Sequence, residues 1–97
     1  MHAQVTHTQI LPGKVDDAIT IYRQSVLAVA KKQKGFRGIY LLVDRDSGRF
    51  MSIHLWDTAR AMSAAETDEF LQEQFALFET VVASPPTREP YEVAMRD

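Results

Sequence analysis

The sequence has no cysteine among its 97 residues. That one absence removes disulfides, thiolate nucleophiles and cysteine-ligated metals together. A basic excess is missing too. Eleven Lys and Arg against thirteen Asp and Glu give a formal net charge of -2, whereas nucleic-acid-binding domains carry a clear positive balance. No apolar run approaches the ~20 residues of a membrane span. The start, MHAQVTHTQI, lacks a basic stretch followed by an apolar one, so it does not read as a signal peptide. A cytoplasmic location is the expectation. There is no repeat, low-complexity tract or linker, and a single domain over 1–97 is expected. A chain of this length buries only roughly 60% of its unfolded surface, so cover from a partner would help it.

Glycine and proline are scarce, four of each, and they punctuate what is present. The β-leaning segment 2–11 stops at Pro12-Gly13, a turn signal. Asp16 and Asp17 then suit the positive end of a helix. Its apolar stripe is Val15, Ala18, Ile19, Tyr22, Val26, Val29 and Ala30. Lys31, Lys32, Lys34 and Gly35 form a helix C-terminal signature. The lysines read as a solvated, dipole-complementing end rather than a phosphate site.

FRGIYLLVD (36–44) and RFMSIHLWD (49–57) read as two strands of a hairpin closed by Asp46-Ser47-Gly48. That loop pairs Arg45 with Arg49. Ile39, Leu41 and Val43 would then face Leu55, Ile53 and Met51, making one aliphatic face. The other face would pair Gly38 with Trp56, Tyr40 with His54 and Leu42 with Ser52. Thr58 is a candidate N-cap for a helix over 58–66, and Thr67-Asp68-Glu69 is a second cap signature before Leu71, Phe75, Phe78 and Val82. Pro85-Pro86 ends that helix, and YEVAM (91–95) is expected as the last strand. The order β-α-β-β-α-β predicts an α+β, ferredoxin-like fold with a four-stranded antiparallel sheet. Two helices cover one face of such a sheet. Both faces of this hairpin carry large apolar side chains, so a second copy is the expected cover and a homodimer the expected assembly.

Ferredoxin-like folds host many activities, and several fall on residue grounds. RNA-recognition modules need a basic, glycine- and aromatic-rich strand, which RFMSIHLW is not. Soft-metal chaperones need paired cysteines. LPGKVDD offers one Lys beside two carboxylates, a poor phosphate cradle. His2, His7 and His54 lack zincin spacing, and a His7–His54 metal pair has no obvious third ligand, so no metal site is expected. Glu66, Asp68, Glu69 and Glu73 read as a solvated acidic face.

PGK closing strand one, GFRG entering strand two, and a Trp ending strand three before the Ala-rich TARAM carry a resemblance across nearly the whole chain. The sequence resembles the antibiotic biosynthesis monooxygenase (ABM) family of small dimeric α/β-barrel proteins. The resemblance implies cofactor-independent oxygenation of a small phenol- or hydroquinone-like aromatic in a cavity between sheet and helices. The substrate is then the reductant, and the protein supplies a dry pocket, a base and hydrogen-bond donors. Haem-degrading relatives use an Asn on the first strand, the Trp, and a His about ten residues after it. This chain contains no Asn, and Glu66 stands ten residues beyond Trp56. Haem degradation is therefore not expected, nor is any cofactor.

On this reading His54 is the base, Trp56 the stacking wall, and Tyr40 and Ser52 the donors, with Gly38 opening the space. Tyr22 either joins that space or is core. Trp56 has a plain alternative: it shields Gly38 and is core. His54, likewise, is either a base suited to neutral pH or a strand histidine satisfied by Tyr40. The rival function is a non-catalytic dimeric module binding a small hydrophobic ligand, and a purely structural dimer remains if no cavity exists.

Overall fold

The computed structural model describes residues 1–97, with Asp68 described through its backbone alone. Four strands, β1 (His2–Gln9), β2 (Phe36–Asp44), β3 (Arg49–Trp56) and β4 (Thr87–Glu92), form one antiparallel sheet in the order β2-β3-β1-β4. Between β1 and β2 runs a composite helix: α1 (Val15–Ile21), a π-helical stretch (Tyr22–Val26), and α2 (Leu27–Ala30). After β3 come α3 (Ala59–Ala65) and α4 (Asp68–Phe78). This is the expected α+β, ferredoxin-like arrangement. Among the described residues no helix is long and apolar enough to cross a membrane.

The local signals act as their chemistry requires. Thr58 accepts a hydrogen bond from the Ala61 amide at 3.0 Å and Thr67 one from Phe70 at 3.3 Å. Each satisfies a helix N–H that has no partner within its own helix. Of the expected helix stripe, Val15, Ala18, Tyr22, Val26 and Ala30 are buried. Val29 is 38% exposed instead. The sequence step from Val26 to Ala30 carries the stripe past it.

The hairpin register departs from the expected one by a single residue. Asp44, not Arg45, faces Arg49. The Asp44 carboxylate accepts from the Asp46 and Ser47 amides, and its carbonyl accepts from Gly48 at 2.8 Å. This side-chain turn starts the loop one position early. Gly48 itself sits at φ +77 against the Ile10 carbonyl, so no side chain fits there.

Because side chains alternate, one residue of slip exchanges the faces of one strand relative to the other. Ile39, Leu41 and Val43 therefore share a face with His54, Ser52 and Phe50, and the wholly aliphatic face is corrected. They pack toward the helices, around a core of Ile10, Val15, Ala18, Tyr22, Val26, Phe50 and Val81. Met51, Ile53 and Leu55 lie on the face away from the helices, together with Tyr40 and Leu42; Leu55 is buried there, Met51 and Ile53 are half-buried, and Tyr40 and Leu42 are exposed.

The last strand is also shifted. It spans Thr87–Glu92 rather than 91–95, and its Pro90 faces Gln4 across the ladder. Pro90 is tolerated because β4 is an edge strand with one side unpaired.

Candidate functional site

A cavity of about 380 Å³ opens between the sheet and α4. Its floor is built by strand alternation. Thr6 and Thr8 of β1 stand beside Ser52 and Phe50 of β3, their cross-strand partners, and His54 continues the row. Tyr22 and Val26 enter from the π-helical stretch, a local widening that in helices often accompanies functional side chains. Phe70, Leu71, Phe75 and Phe78 of α4 form an apolar roof, and Arg88 of β4 closes one end. Tyr22 stacks edge-on to Phe50 at 6.1 Å and packs on Phe78 at 6.0 Å, which fixes its ring.

One connected line of polar side chains crosses this mostly apolar space, which Gln72 and Gln74 also line. The Tyr22 hydroxyl shares a hydrogen bond with His54 Nε2. On the other side of the ring, His54 Nδ1 lies 3.2 Å from Glu66 Oε1, in contact but off the line of a hydrogen bond. Glu66 Oε2 accepts from Arg88 at 2.5 Å. The side chains of His54 and Glu66 are only 9% and 5% exposed. Burial pushes the Tyr22 phenol well above its ordinary range. A hydrogen bond with Ser52 opposes this, and the nearby Glu66 charge adds to it. Tyr22 is thus a neutral hydrogen-bond donor at physiological pH.

Three of the expected site residues, Tyr22, Ser52 and His54, line this cavity. The other three do not. Tyr40 is 56% exposed and faces Ile53 on the open side of the sheet, so it cannot satisfy His54. Gly38 faces Leu55, after a bulge that inserts Arg37, and nothing lies within 4 Å of where its side chain would be. Trp56 therefore does not shield it. Phe36 stands opposite Trp56 instead, its ring edge-on at 5.6 Å. Trp56 is 1% exposed and forms no part of the cavity lining. The bulge is held by Arg37, whose guanidinium pairs with Asp57.

Glu66 and Arg88 were not readable as site residues from the acidic cluster alone. Glu69 and Glu73 are exposed as expected, and the side chain of Asp68 lies outside the described residues. Glu66 differs because it stands four residues after the buried Met62 and so shares its face. That spacing was the available signal. His7 lies on the opposite side of β1 from the row facing His54, 3.9 Å from Glu89. The two histidines cannot share an ion. Among the described residues no group of three or more His, Cys, Asp or Glu side chains is placed to hold a metal.

Relatives with this architecture are numerous. SnoaB from Streptomyces nogalater, a cofactor-independent oxygenase solved as an asparagine-to-alanine variant, superposes with a TM-score of 0.78 at 18% identity, over 98% of this chain and 94% of its own. A protein of unknown function from Nitrosomonas europaea superposes with a TM-score of 0.75 at 18% identity, over 99% and 91%. Two uncharacterised proteins of Mycobacterium tuberculosis are 35% identical over 65 residues, or 67% of this chain. The chain spans under a third of their length. The sequence model of the family described as antibiotic biosynthesis monooxygenase matches residues 1–76, which take in the first three strands and every residue of the Tyr22–His54–Glu66 line. With both the sequence match and the fold in agreement, the chain belongs to the antibiotic biosynthesis monooxygenase family.

Proposed function

We propose that this protein is a homodimeric, cofactor-independent monooxygenase acting on a small phenol- or hydroquinone-like aromatic in the helix-side cavity. The observation that carries the reading is the polar line Tyr22–His54–Glu66 at one end of an apolar, phenylalanine-roofed space. An aromatic ring sits under the roof of Phe70, Phe75 and Phe78, and its hydroxyl meets Tyr22 and Ser52 at the floor. The proton leaves the substrate toward His54, the base. The resulting phenolate is electron-rich enough to give an electron to dioxygen. Recombination forms a carbon–oxygen bond, and loss of water leaves a quinone. For a phenol with a free ring C–H, one dioxygen is consumed: one oxygen atom enters the ring and the other leaves in water. Low polarity around the site favours this course, because water would solvate the phenolate and lower its reactivity.

The assembly is part of the proposal. Tyr40 and Leu42 of β2 and Tyr91 of β4 are half-exposed on the face that the helices leave bare. A second copy packed there gives the two-faced sheet its cover.

A second reading has its own support. Apart from the polar line and a few uncharged polar residues (Thr6, Thr8, Ser52, Gln72 and Gln74), the cavity wall is apolar, with Phe70, Leu71, Phe75, Phe78 and Val82. The chain also lacks any Asn to hold a substrate. Both features suit a module that binds a small hydrophobic ligand without turning it over.

Oxygen consumption separates the two. With naphthols and hydroquinones in an oxygen electrode, the wild type is expected to give saturable uptake that His54→Ala lowers about 100-fold or more, the range for loss of a general base. Saturable binding without uptake would sink the oxygenase reading and leave the binding module.

A further inference from the structure

Glu66 is a buried carboxylate on an element end, and such a group is costly unless its charge is met. Two partners meet it. Arg88 donates to Oε2 at 2.5 Å, and His54 Nδ1 stands 3.2 Å from Oε1. A carboxylate only accepts hydrogen bonds. A bare ring nitrogen facing Oε1 at that distance would set two lone pairs against each other. A ring N–H there is attractive, even off the ideal line. The opposite nitrogen is constrained from its own side. Tyr22 keeps its phenolic proton, because burial disfavours the phenolate, and so has a proton to donate to Nε2.

We propose that Glu66, anchored by Arg88, is a positioning residue that holds neutral His54 in its Nδ1–H tautomer, leaving Nε2 bare to take a proton delivered through Tyr22. The inference rests on the reading of His54 as a base, and it assigns that base a direction. Tyr22 is then the group between substrate and imidazole: as its hydroxyl passes a proton to Nε2, it takes the substrate's. The imidazolium formed lies against a carboxylate that is already in place. Orientation of a histidine by a partner on its far nitrogen is a general device in acid–base sites.

The tautomer can be read without any substrate. Nitrogen-15 NMR of the imidazole rings distinguishes protonated from bare nitrogen, and His2→Gln and His7→Gln variants assign the three histidines. The expected wild-type spectrum has His54 protonated at Nδ1 and bare at Nε2. In Glu66→Gln, Arg88 claims the amide oxygen and the amide NH2 turns to His54, so the expected form reverses to Nε2–H. Where oxygen uptake is measurable, kcat falls about 100-fold with KM little changed, as expected when proton transfer is impaired and binding is not. If Glu66→Gln does not fold, the double variant Glu66→Leu/Arg88→Met removes both charges together and is expected to give a mixture of tautomers. An Nε2–H form in the wild type overturns the proposal. So does an Nδ1–H form that survives unmixed in the variants. A correct tautomer pattern without oxygen uptake supports the positioning role while refuting the oxygenase, so the two claims fail separately.

Discussion

The two faces of the single sheet use its residues in opposite ways. Toward the helices, Thr6, Ser52 and His54 put polar atoms into a surround of aromatic rings. Toward the open side, Tyr40 and Leu42 put apolar atoms into solvent, beside the half-buried Met51 and Ile53. A stable monomer with a solvated outer face would invert this: apolar groups inside and polar ones out. The polar row costs stability inside, and the apolar row costs it outside. The inner cost makes sense if the row meets a ligand, and the outer if the face meets a second copy.

The largest expected effect comes from breaking the inner face. Phe50 is 5% exposed and touches both Tyr22 and Phe78. Phe50→Ala is expected to cost about 3–5 kcal/mol, the range for removing a buried phenylalanine. Urea denaturation checks this, and a loss under about 1 kcal/mol would show that the face is not the core.

Breaking the outer face comes next. Ile53→Asp is expected to weaken self-association by about 2 kcal/mol or more, since an unpaired carboxylate in an apolar interface is costly. Sedimentation at micromolar concentration should give about twice the 11.0 kDa chain mass for the wild type and about that mass for the variant. A wild-type monomer would remove the dimer from the account.

Capping sharpens the comparison by moving only the helix layer. Thr67→Ala should lower stability by about 1 kcal/mol, because Phe70 loses its side-chain acceptor. Thermal denaturation reads it, and no change would mean the cap is idle.

The smallest effect is a titration. With its pKa raised, Tyr22 stays neutral in the folded protein while the unfolded chain's phenol ionises near pH 10. Folding stability from this group is therefore complete below about pH 10 and is lost as pH rises further toward the folded value. Ultraviolet absorbance should show a late-ionising tyrosine that disappears in Tyr22→Phe. If the variant leaves the titration curve unchanged, Tyr22 is not the buried, hydrogen-bonded group described above.

Much of the fold was legible in the sequence because its signals are local. Thr58 and Thr67 cap helices where their positions say they should, and the helix stripe from Val15 to Ala30 is buried or, at Ile19, partly buried, except at Val29. The error in the hairpin register begins at one residue. Asp44 folds its side chain back onto the loop amides, which moves the hairpin register by one residue. In a structure of period two, that single step carried Tyr40 off the site and left Ile39 facing His54. The bulge at Arg37 then gave Trp56 a phenylalanine neighbour in place of glycine. The site was half legible. His54, Ser52 and Tyr22 could be found on sequence grounds. The Glu66–Arg88 pair joins residues 22 positions apart, and only the tertiary arrangement of β4 against the end of α3 brings them together.

The central claim is that the two faces have different occupants, a small aromatic inside and a second copy outside. Titration of isotope-labelled protein with 2-naphthol, followed by NMR, tests it most directly. The account predicts saturable shifts at Ser52, His54 and Phe78, with Tyr40, Leu42 and Ile53 unmoved and the sedimenting mass unchanged. Shifts confined to Tyr40, Leu42 and Ile53, or a fall in mass on adding ligand, would place the ligand on the open face and contradict the account.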